Sequence, residues 1–414
     1  MLKKFFMLVF KNQKVRNVRN YYMATLKTSI LGIDFENPFL LASAPPTASI
    51  DSIDKAFELG WGGAVLKTIT PDDLEMIEAS PRYATIKEKG KIICLQNIEL
   101  LSHETIQYWV DGINFLKEKH PTKVIIASIM APVEREEWQN LVKTLNDTQI
   151  DAFELNFSCP HGMPERNIGM AIGTSAEVSI LITSWVKAVA TKPVFVKLTP
   201  NVTNINWIAN AVERAGANGF AAINTVQSFM GINLDTLEPI LNIDGFSTYG
   251  GLSGVAVKPI GFRCVAQLRQ NSKLPILGMG GISSWEDAAQ YIALGADAVQ
   301  VCTEVMLNGY GIISGLKSGL LNYLESKGFN DISELKNIAI PKITSHKNLN
   351  KKSHLYPSID KENCVSCGKC VKICSESEYH ALNFDKDCLI LNEESCTGCS
   401  LCSHVCPKEA IKMN

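Results

Sequence analysis

The sequence predicts an α/β protein in which a closed (β/α)8 barrel is followed by a small α+β domain. Within residues 38–304, short apolar runs alternate with longer amphipathic runs, which is the pattern of βα units around a parallel sheet. This span of roughly 270 residues is long enough for eight such units. Eight of the 13 cysteines lie instead near the C-terminus, where they follow a strict spacing. The chain therefore divides into a large barrel and a small cysteine-rich domain.

Eight apolar runs are the candidates for the barrel strands. Each is nearly continuous in apolar residues, as expected of parallel strands that are buried on both faces. A doubly wound open sheet is the structural alternative, but it does not need eight units, and no G-x-G-x-x-G follows a first strand. The predicted strands are 39–44, 63–69, 124–130, 152–158, 194–199, 219–225, 276–280 and 298–303.

The segments outside the eight units are assigned by their composition. Two short apolar runs around Gly32, at 26–30 and 33–35, predict a hairpin that closes the bottom of the barrel. The first 22 residues carry six Lys or Arg and no acidic residue; they are either an organellar transit peptide or an upstream stretch before a biological start at Met23. The predicted organisation is a basic extension at 1–25, a barrel at 26–327, a polar linker at 328–355 and a cysteine-rich domain at 356–414.

The C-terminal cysteines form two copies of the run C-x2-C-x2-C-x3-C. In bacterial-type ferredoxins this run carries two 4Fe-4S clusters, and the fourth cysteine of each run binds the other cluster. A zinc site also uses C-x2-C pairs, but zinc gives no reason for three cysteines at a three-residue step, twice. Pro407 follows the second run in the usual way, whereas Ser375 follows the first. The predicted ligands are Cys364, Cys367, Cys370 and Cys406 for one cluster, and Cys396, Cys399, Cys402 and Cys374 for the other.

Composition indicates a globular protein from a reducing compartment, by default the cytoplasm. The other five cysteines, Cys94, Cys159, Cys264, Cys302 and Cys388, lack the spacing of a disulfide framework. A formal net charge of -2 offers none of the basic excess typical of nucleic-acid-binding proteins. No run of 18 or more apolar residues predicts a transmembrane helix.

Polar and reactive residues follow most of the predicted strands, at the end of a barrel where active sites lie. Two of them, Lys67 and Lys197, are costly to bury without an electron-rich partner, so they indicate an anionic ligand in the barrel mouth. A structural salt bridge to either lysine is the alternative. The strand-end residues are Ser43, Lys67, Thr68, Asn156, Ser158, Cys159, Lys197, Asn224, Thr225, Gly280, Gly281, Cys302 and Thr303.

Two glycine-rich turns, at 250–254 and 278–281, occur late in the barrel. TIM-barrel enzymes commonly bind a phosphate there through backbone N–H groups. Either turn alone would be weak support, but both in this order favour a phosphate cradle and therefore FMN, with Lys197 placed to stabilise negative charge on the reduced flavin. The predicted FMN-binding residues are Ser43, Lys67, Thr68, Lys197, Gly254, Met279, Gly280, Gly281, Cys302 and Thr303.

Several segments resemble signatures of the dihydropyrimidine dehydrogenase family. Residues 154–163, ELNFSCPHGM, are similar to that family's catalytic loop, and 97–100, 197–203 and 224–226 are similar to its other signatures. Residues 374–379, CSESEY, also resemble the family, in which a non-proline residue follows the first cysteine run. The resemblance extends from about residue 28 to the C-terminus and is strongest to the bacterial form, which has the FMN barrel and both clusters but no nucleotide domain.

This resemblance implies reduction of the 5,6 double bond of uracil or thymine. Hydride would pass from FMN to C6, while Cys159 would protonate C5; a thiol that titrates near 8.5 is still mostly protonated at neutral pH. Carboxamides and hydroxyls offer both donors and acceptors, which suits the alternating N–H and C=O groups of a neutral pyrimidine. The implied substrate-binding residues are Asn97, Asn156, Ser158, Asn224 and Thr225.

The absence of a nicotinamide-binding fingerprint implies a partner. The two clusters would carry single electrons from an FAD-containing subunit that oxidises NADH, so we expect a hetero-oligomer that uses NAD(H) indirectly. Two alternatives stay open. One is a dihydroorotate dehydrogenase, which shares the FMN barrel and a cysteine acid but usually lacks the fused clusters; the other is an electron-transfer module that only docks a partner.

Overall fold

The computed structural model describes residues 24–74, 76–159, 168–385 and 388–414. The predicted basic extension, apart from its last two residues, and the part of the catalytic-loop signature from residue 160 onward therefore lie outside the described residues. A first compact unit extends to Lys342, and a second extends from Ile343 to Asn414.

The first unit is a closed parallel barrel of eight strands, as predicted. The strands follow one another around the barrel in chain order. All eight predicted runs form strands, but each strand ends earlier than its apolar run, because the backbone leaves the sheet at the polar residues of the mouth. The barrel strands are β3 Phe39–Leu41, β4 Gly63–Val65, β7 Val124–Ile129, β8 Ala152–Asn156, β9 Val194–Leu198, β10 Gly219–Ala222, β13 Ile276–Met279 and β14 Ala298–Val301.

Helices follow the strands, and several begin or end at recognisable capping residues. The Ser49 side chain accepts from the Ser52 N–H at the start of α1, and Ser284 and Asp287 form a capping box at the start of α8. Gly328 ends α10 in the left-handed conformation. The described helices of this unit are α1 Ile50–Leu59, α2 Ile106–Lys119, α3 Arg135–Asn146, α4 Met170–Gly173, α5 Ala176–Lys187, α6 Ile205–Arg214, α7 Lys258–Asn271, α8 Trp285–Ala293, α9 Thr303–Asn308 and α10 Ile313–Lys327.

The predicted hairpin forms and closes the bottom of the barrel. Its strands, β1 Thr28–Ile30 and β2 Ile33–Phe35, are antiparallel on either side of the turn at Gly32, where φ is +80°. Ile30 and Phe35 pack against the inward-facing apolar side chains of the barrel strands, and Phe35 is almost completely buried. The barrel interior is therefore a packed apolar core below the mouth.

A four-stranded antiparallel sheet beside the barrel mouth was not predicted. Its order is β11-β12-β6-β5, with β5 Tyr83–Glu88, β6 Lys91–Asn97, β11 Val226–Ser228 and β12 Gly250–Ser253. The β5–β6 hairpin turns at Lys89 and Gly90, both in the left-handed region. This sheet brings Asn97 and the first glycine-rich turn, which are distant in sequence, into register opposite each other.

Part of the segment predicted as a linker packs with the barrel. Ile332 and Leu335 are buried in the large hydrophobic core that surrounds the barrel strands. Thr25 and Asp331 form a parallel bridge, which ties the two ends of the barrel domain together. The exposed stretch begins later, around Pro341.

The second unit is a small α+β domain with two related halves. Its elements are β15 Pro357–Ile359, α11 Lys369–Glu376, β16 Leu382–Asp385, β17 Cys388–Leu391, α12 Leu401–Val405 and β18 Ile411–Met413. The first and last strands pair antiparallel, as do the two middle strands. Across both units, no helix among the described residues is long and apolar enough to span a bilayer.

Candidate active site and cysteine cavities

A cavity of about 1230 Å³, open to solvent, lies at the carboxyl ends of the barrel strands. Its wall brings together residues that the sequence places on seven different strands or strand ends, together with the sheet beside the mouth. The predicted site residues that line it are Ser43, Lys67, Thr68, Asn97, Asn156, Cys159, Lys197, Asn224, Thr225, Gly254, Met279, Gly280, Gly281, Cys302 and Thr303.

Ser158 is the predicted site residue that does not line the cavity. Its side chain is fully buried behind the wall, where its hydroxyl donates to Asn156 Oδ1 at 3.1 Å and accepts from Asn224 Nδ2 at 2.8 Å. Because one hydroxyl connects both carboxamides, Ser158 fixes the orientation in which Asn156 and Asn224 face the cavity.

The other polar groups of this wall are also held by neighbours. Asn156 Nδ2 donates to Thr68 Oγ1 at 3.0 Å, and Asn97 Nδ2 donates to the Gly251 carbonyl at 3.1 Å. Thr225 Oγ1 is buried and makes no hydrogen bond within the described protein. A buried hydroxyl oxygen without a partner is costly, so it is available to a ligand in the cavity.

Cys159 lies at the edge of the described part of the catalytic loop. Its side chain is 5% exposed and lines the cavity, and its carbonyl accepts from the Met170 N–H at 2.9 Å. The other lining thiol on the opposite side, Cys302, is different in kind: burial raises its pKa to about 11, although Lys197 and Lys67 partly oppose the shift. Cys302 is thus held as a neutral thiol.

Both mouth lysines have a carboxylate partner. Lys67 Nζ lies 3.1 Å from Glu99 Oε1, and Lys197 Nζ lies 3.4 Å from Glu154 Oε1. The salt-bridge alternative is therefore realised at both positions. The two lysines alone do not require an anionic ligand, although both still line the cavity.

Glu99 lines the cavity and contacts three other side chains. Besides Lys67, it contacts Arg82 Nε at 3.1 Å and accepts from the Tyr83 hydroxyl at 2.6 Å. Burial opposes ionisation of Glu99, but Lys67, the Tyr83 hydroxyl and Arg82 together hold its pKa below the ordinary value. Burial and the Glu99 charge correspondingly raise the pKa of Tyr83.

The two glycine-rich turns meet in the structure. Gly254, Gly280 and Gly281 have φ values of +87°, +120° and +74°, a conformation that favours glycine. A Cβ on Gly281 would lie 2.7 Å from the Gly254 carbonyl oxygen, so the turns are packed against each other with no room for a side chain. Beside them, the Thr303 hydroxyl donates to or accepts from Ser253 Oγ at 2.9 Å.

These features fit FMN. The glycine turns form a side-chain-free edge that backbone groups can offer to a phosphate, and Thr225 and Gln300, each with a buried oxygen that has no partner within the described protein, line a cavity large enough for a flat heterocycle. The residues that would hold FMN are therefore the glycine turns, Thr303 and the lysine-bearing wall.

In the second unit, two further cavities are lined by cysteines from both runs. One is lined by Cys364, Cys367, Cys370 and Cys406, and the other by Cys374, Cys396, Cys399 and Cys402. In both, the last cysteine of a run accepts from a backbone N–H at 3.3 Å: Cys374 from Ala381 and Cys406 from Ala410. Each cavity thus combines three cysteines of one run with the fourth of the other, which fits the crossed ligation of two 4Fe-4S clusters.

Several residues in the cavity wall or directly behind it were not predicted as site residues. Glu99 and Glu154 lie inside segments that resemble family signatures, so they could have been chosen as counter-charges for the two lysines. Gln300, two residues before Cys302, could have been found from its polar character within an apolar strand. Tyr83 and Arg82 carry no local sequence signal, because their place at the mouth depends on the unpredicted sheet.

Comparison with known proteins agrees with both units. The dihydroorotate dehydrogenase family model matches residues 25–324, and the 4Fe-4S dicluster domain model matches residues 357–413. The chain is 37% identical over 365 residues to the NAD-dependent dihydropyrimidine dehydrogenase subunit PreA of Escherichia coli, covering 87% of this chain and 88% of that protein. It is 36% identical over 339 residues to the chloroplastic dihydropyrimidine dehydrogenase (NADP(+)) of Arabidopsis thaliana, covering 79% and 80% of the two chains. It is also 35% identical over 319 residues to the catalytic subunit of dihydroorotate dehydrogenase B (NAD(+)) of Pyrococcus abyssi, covering 76% of this chain and 99% of that protein.

Proposed function

Because the chain belongs to the dihydroorotate dehydrogenase family and adds a 4Fe-4S dicluster domain, we propose that it is the pyrimidine-reducing subunit of an NAD-dependent dihydropyrimidine dehydrogenase. It reduces the 5,6 double bond of uracil or thymine to give the 5,6-dihydropyrimidine. The observation that carries this proposal is a single cavity in which Cys159 shares the wall with three asparagines, Thr225 and the glycine turns.

The charges of the cavity favour a neutral substrate. The cations among its described lining residues are Lys67 and Lys197, and each lies within 3.4 Å of a carboxylate. Orotate carries a carboxylate that would need a positive partner in the site, whereas uracil presents only neutral N–H and C=O groups. Asn97, Asn156 and Asn224 supply carboxamides that match such groups, and Ser158 keeps two of them oriented.

FMN, when bound against the glycine turns, supplies the hydride that C6 of the pyrimidine receives. The side chains of this chain do the rest: the asparagines and Thr225 orient the ring, and Cys159 donates its proton to C5. Cys159 is almost completely buried in the cavity wall, so the proton comes from a positioned thiol. Hydride plus proton complete the two-electron reduction.

The cysteine-rich unit supplies electrons to the barrel. The eight cysteines of the two cavities would hold two 4Fe-4S clusters, which would supply one-electron transfer from an FAD-containing partner subunit that oxidises NADH. Support comes from the E. coli relative, which is itself named a subunit, and from the missing dinucleotide fingerprint in this sequence. We place the complex in the cytoplasm, since its many thiols and clusters suit a reducing compartment.

The experiment compares pyrimidine and orotate as electron acceptors. Purified chain, reduced anaerobically with a low-potential artificial donor, is incubated with uracil, thymine or orotate, and the products are measured by chromatography. We expect dihydrouracil and dihydrothymine but no dihydroorotate, and no turnover with NADH alone. Preferential reduction of orotate would assign the chain to dihydroorotate chemistry. If FMN-loaded protein reduces none of the three acceptors, the chain acts as an electron-transfer module without a pyrimidine-reducing activity of its own. Steady NADH-dependent turnover by the single chain would refute the division of labour with a partner.

A further inference from the structure

A polar layer crosses the barrel just above its apolar interior. It consists of Glu154 on β8, Lys197 on β9 and Gln300 on β14, with exposed fractions of 0%, 4% and 1%. Strands β8 and β14 lie on opposite sides of the closed barrel, yet Gln300 Nε2 donates to Glu154 Oε2 at 2.8 Å. The Glu154 carboxylate therefore sits near the barrel axis, between its two partners.

This carboxylate would be costly without those partners. The inward-facing side chains below the layer are apolar, among them Val65, Ile126 and Phe195, so no water reaches it from beneath. A buried charge is retained only when it is paired and hydrogen-bonded. Lys197 supplies the charge and Gln300 supplies the hydrogen bond.

The contact with Lys197 is ionic and leaves the ammonium protons available. The two atoms are 3.4 Å apart, and Glu154 Oε1 accepts no hydrogen bond within the described protein. Lys197 lines the cavity, whereas Glu154 does not. The ammonium is thus held from behind by a counter-charge while its N–H donors remain available to the occupant of the cavity.

The orientation of the Gln300 amide follows from the same geometry. An ionised carboxylate only accepts hydrogen bonds, so the atom nearest Glu154 must be the Gln300 nitrogen. The Gln300 oxygen is then turned away from Glu154; it is buried, makes no hydrogen bond within the described protein, and belongs to a residue that lines the cavity. One carboxylate therefore positions both a donor and an acceptor in the wall.

We propose that Glu154 and Gln300 are positioning residues, which hold the Lys197 ammonium against the flavin and thereby make the site prefer reduced over oxidised FMN. The proposal rests on the proposed function, because it concerns the cofactor of that reaction. A reduced flavin carries more negative charge than an oxidised one, so a fixed ammonium in a buried wall stabilises it selectively. Without Glu154, the Lys197 ammonium loses the carboxylate that holds it in this part of the wall, so its charge is no longer fixed at the position that favours the reduced flavin.

The test measures FMN affinity in both oxidation states rather than turnover. Dissociation constants for oxidised and reduced FMN are obtained anaerobically on the full chain from the fluorescence of released flavin, over a range of about pH 6 to 9. In Glu154→Gln we expect the preference for reduced FMN to fall by about tenfold or more, the size expected for one charge a few ångströms away in a protein interior. The preference should be retained in Glu154→Asp, which keeps the carboxylate.

Asp297→Asn is the matched control. Asp297 lies just before β14, at the opposite end of the strand that carries Gln300, and it pairs with Arg269 and Lys336 outside the cavity. Its loss should lower thermal stability but leave the FMN preference unchanged.

A preference in Glu154→Gln within about twofold of the parent protein would overturn the proposal, whatever happens to its stability. If that variant does not fold, Gln300→Met is the deciding variant, since it retains both charges and removes only the amide. In Gln300→Met we expect the preference for reduced FMN to fall, but by less than in Glu154→Gln. An unchanged preference in Gln300→Met would overturn the proposal. If the parent chain binds no FMN at all, both the proposed function and this inference fail. If the parent chain binds FMN but does not reduce pyrimidines, only the proposed function fails. If it reduces pyrimidines but Glu154→Gln keeps the parent preference for reduced FMN, only this inference fails.

Discussion

The hydroxyl of Tyr291 holds the second glycine turn in place, and its removal should weaken both the barrel and FMN binding. Tyr291 lies on α8 with its side chain fully buried. Its hydroxyl lies 2.7 Å from the Gly280 carbonyl oxygen and 3.1 Å from that of Met279. The turn itself has two successive residues in the left-handed region, Gly280 and Gly281, so it depends on such anchors for its conformation.

The change in the free energy of unfolding in Tyr291→Phe depends on which carbonyl oxygen loses its hydrogen-bond donor. The Met279 carbonyl also accepts from the Ile223 N–H at 3.0 Å, so it stays satisfied. The Gly280 carbonyl is only half-buried, but it loses the fully buried Tyr291 hydroxyl, which costs about 1–3 kcal/mol in the free energy of unfolding of the barrel. If about half of this free energy, about 0.5–1.5 kcal/mol, is also lost from FMN binding, the Kd for FMN rises by about twofold to tenfold, since 1.4 kcal/mol is a factor of ten.

Urea denaturation followed by barrel tryptophan fluorescence gives the stability change, and titration of flavin-free protein with FMN gives the Kd. Tyr323→Phe is the control, because Tyr323 lies on α10, where its ring packs on Trp285 at 5.4 Å between centroids, away from the turn. The control should bind FMN like the parent protein. Equal FMN affinity in Tyr291→Phe and Tyr323→Phe would show that the hydroxyl does not maintain the turn.

Three further predictions concern the acid, a buried carboxylate and a cluster ligand. Cys159→Ala should keep FMN but reduce uracil about 10² to 10⁴ times more slowly, as expected for lost general acid catalysis, with a little activity retained in Cys159→Ser; unchanged turnover in the alanine variant would remove Cys159 from the mechanism. Glu99→Gln should destabilise the barrel at neutral pH, because Lys67 loses its carboxylate partner. Folding lowers the pKa of Glu99, so the difference in stability between the parent protein and this variant should vanish as the pH falls from about 4.3 through the lower folded-state pKa. Urea denaturation at several pH values measures this difference, and a difference that does not change with pH would contradict the prediction. Cys406→Ser should disrupt the cluster held by the first cysteine run and spare the one that includes Cys374. Iron analysis and electron paramagnetic resonance show which cluster is lost. Loss of the cluster that includes Cys374 instead would contradict the crossed arrangement.

The predicted barrel followed from local properties of the chain. Strands buried on both faces are apolar along nearly their whole length, so runs such as 124–130 and 194–199 are predicted as strands from the local sequence alone, without knowledge of the strands they pair with. The cysteine spacing is equally local within each run, since a three-residue step determines which thiols can face one cluster. The barrel is confirmed by the strand topology, and the barrel domain and the 4Fe-4S domain are both confirmed by the matched families, whereas the assignment of each cysteine to a cluster stays a prediction.

The sheet beside the mouth escaped prediction for a physical reason. Its strands β5 and β6 are only partly buried and mix charged with apolar residues, and β11 and β12 have three and four residues. Such strands are stabilised by pairing across a long sequence separation, as between β6 and β12, rather than by a pattern of their own. Tyr83 reaches the cavity through this sheet, so its role became visible only in three dimensions.

The charges of the site also needed the tertiary structure. From the sequence, Lys67 and Lys197 could face an anionic ligand or a protein carboxylate, because both satisfy a buried ammonium equally well. Residue type and position along a strand therefore determined where charge lies in this protein. Only the tertiary structure, which places β9 beside β8 and the β6 end beside β4, decided which carboxylates balance it, because electrostatic energy depends on distances between residues that lie far apart in the chain.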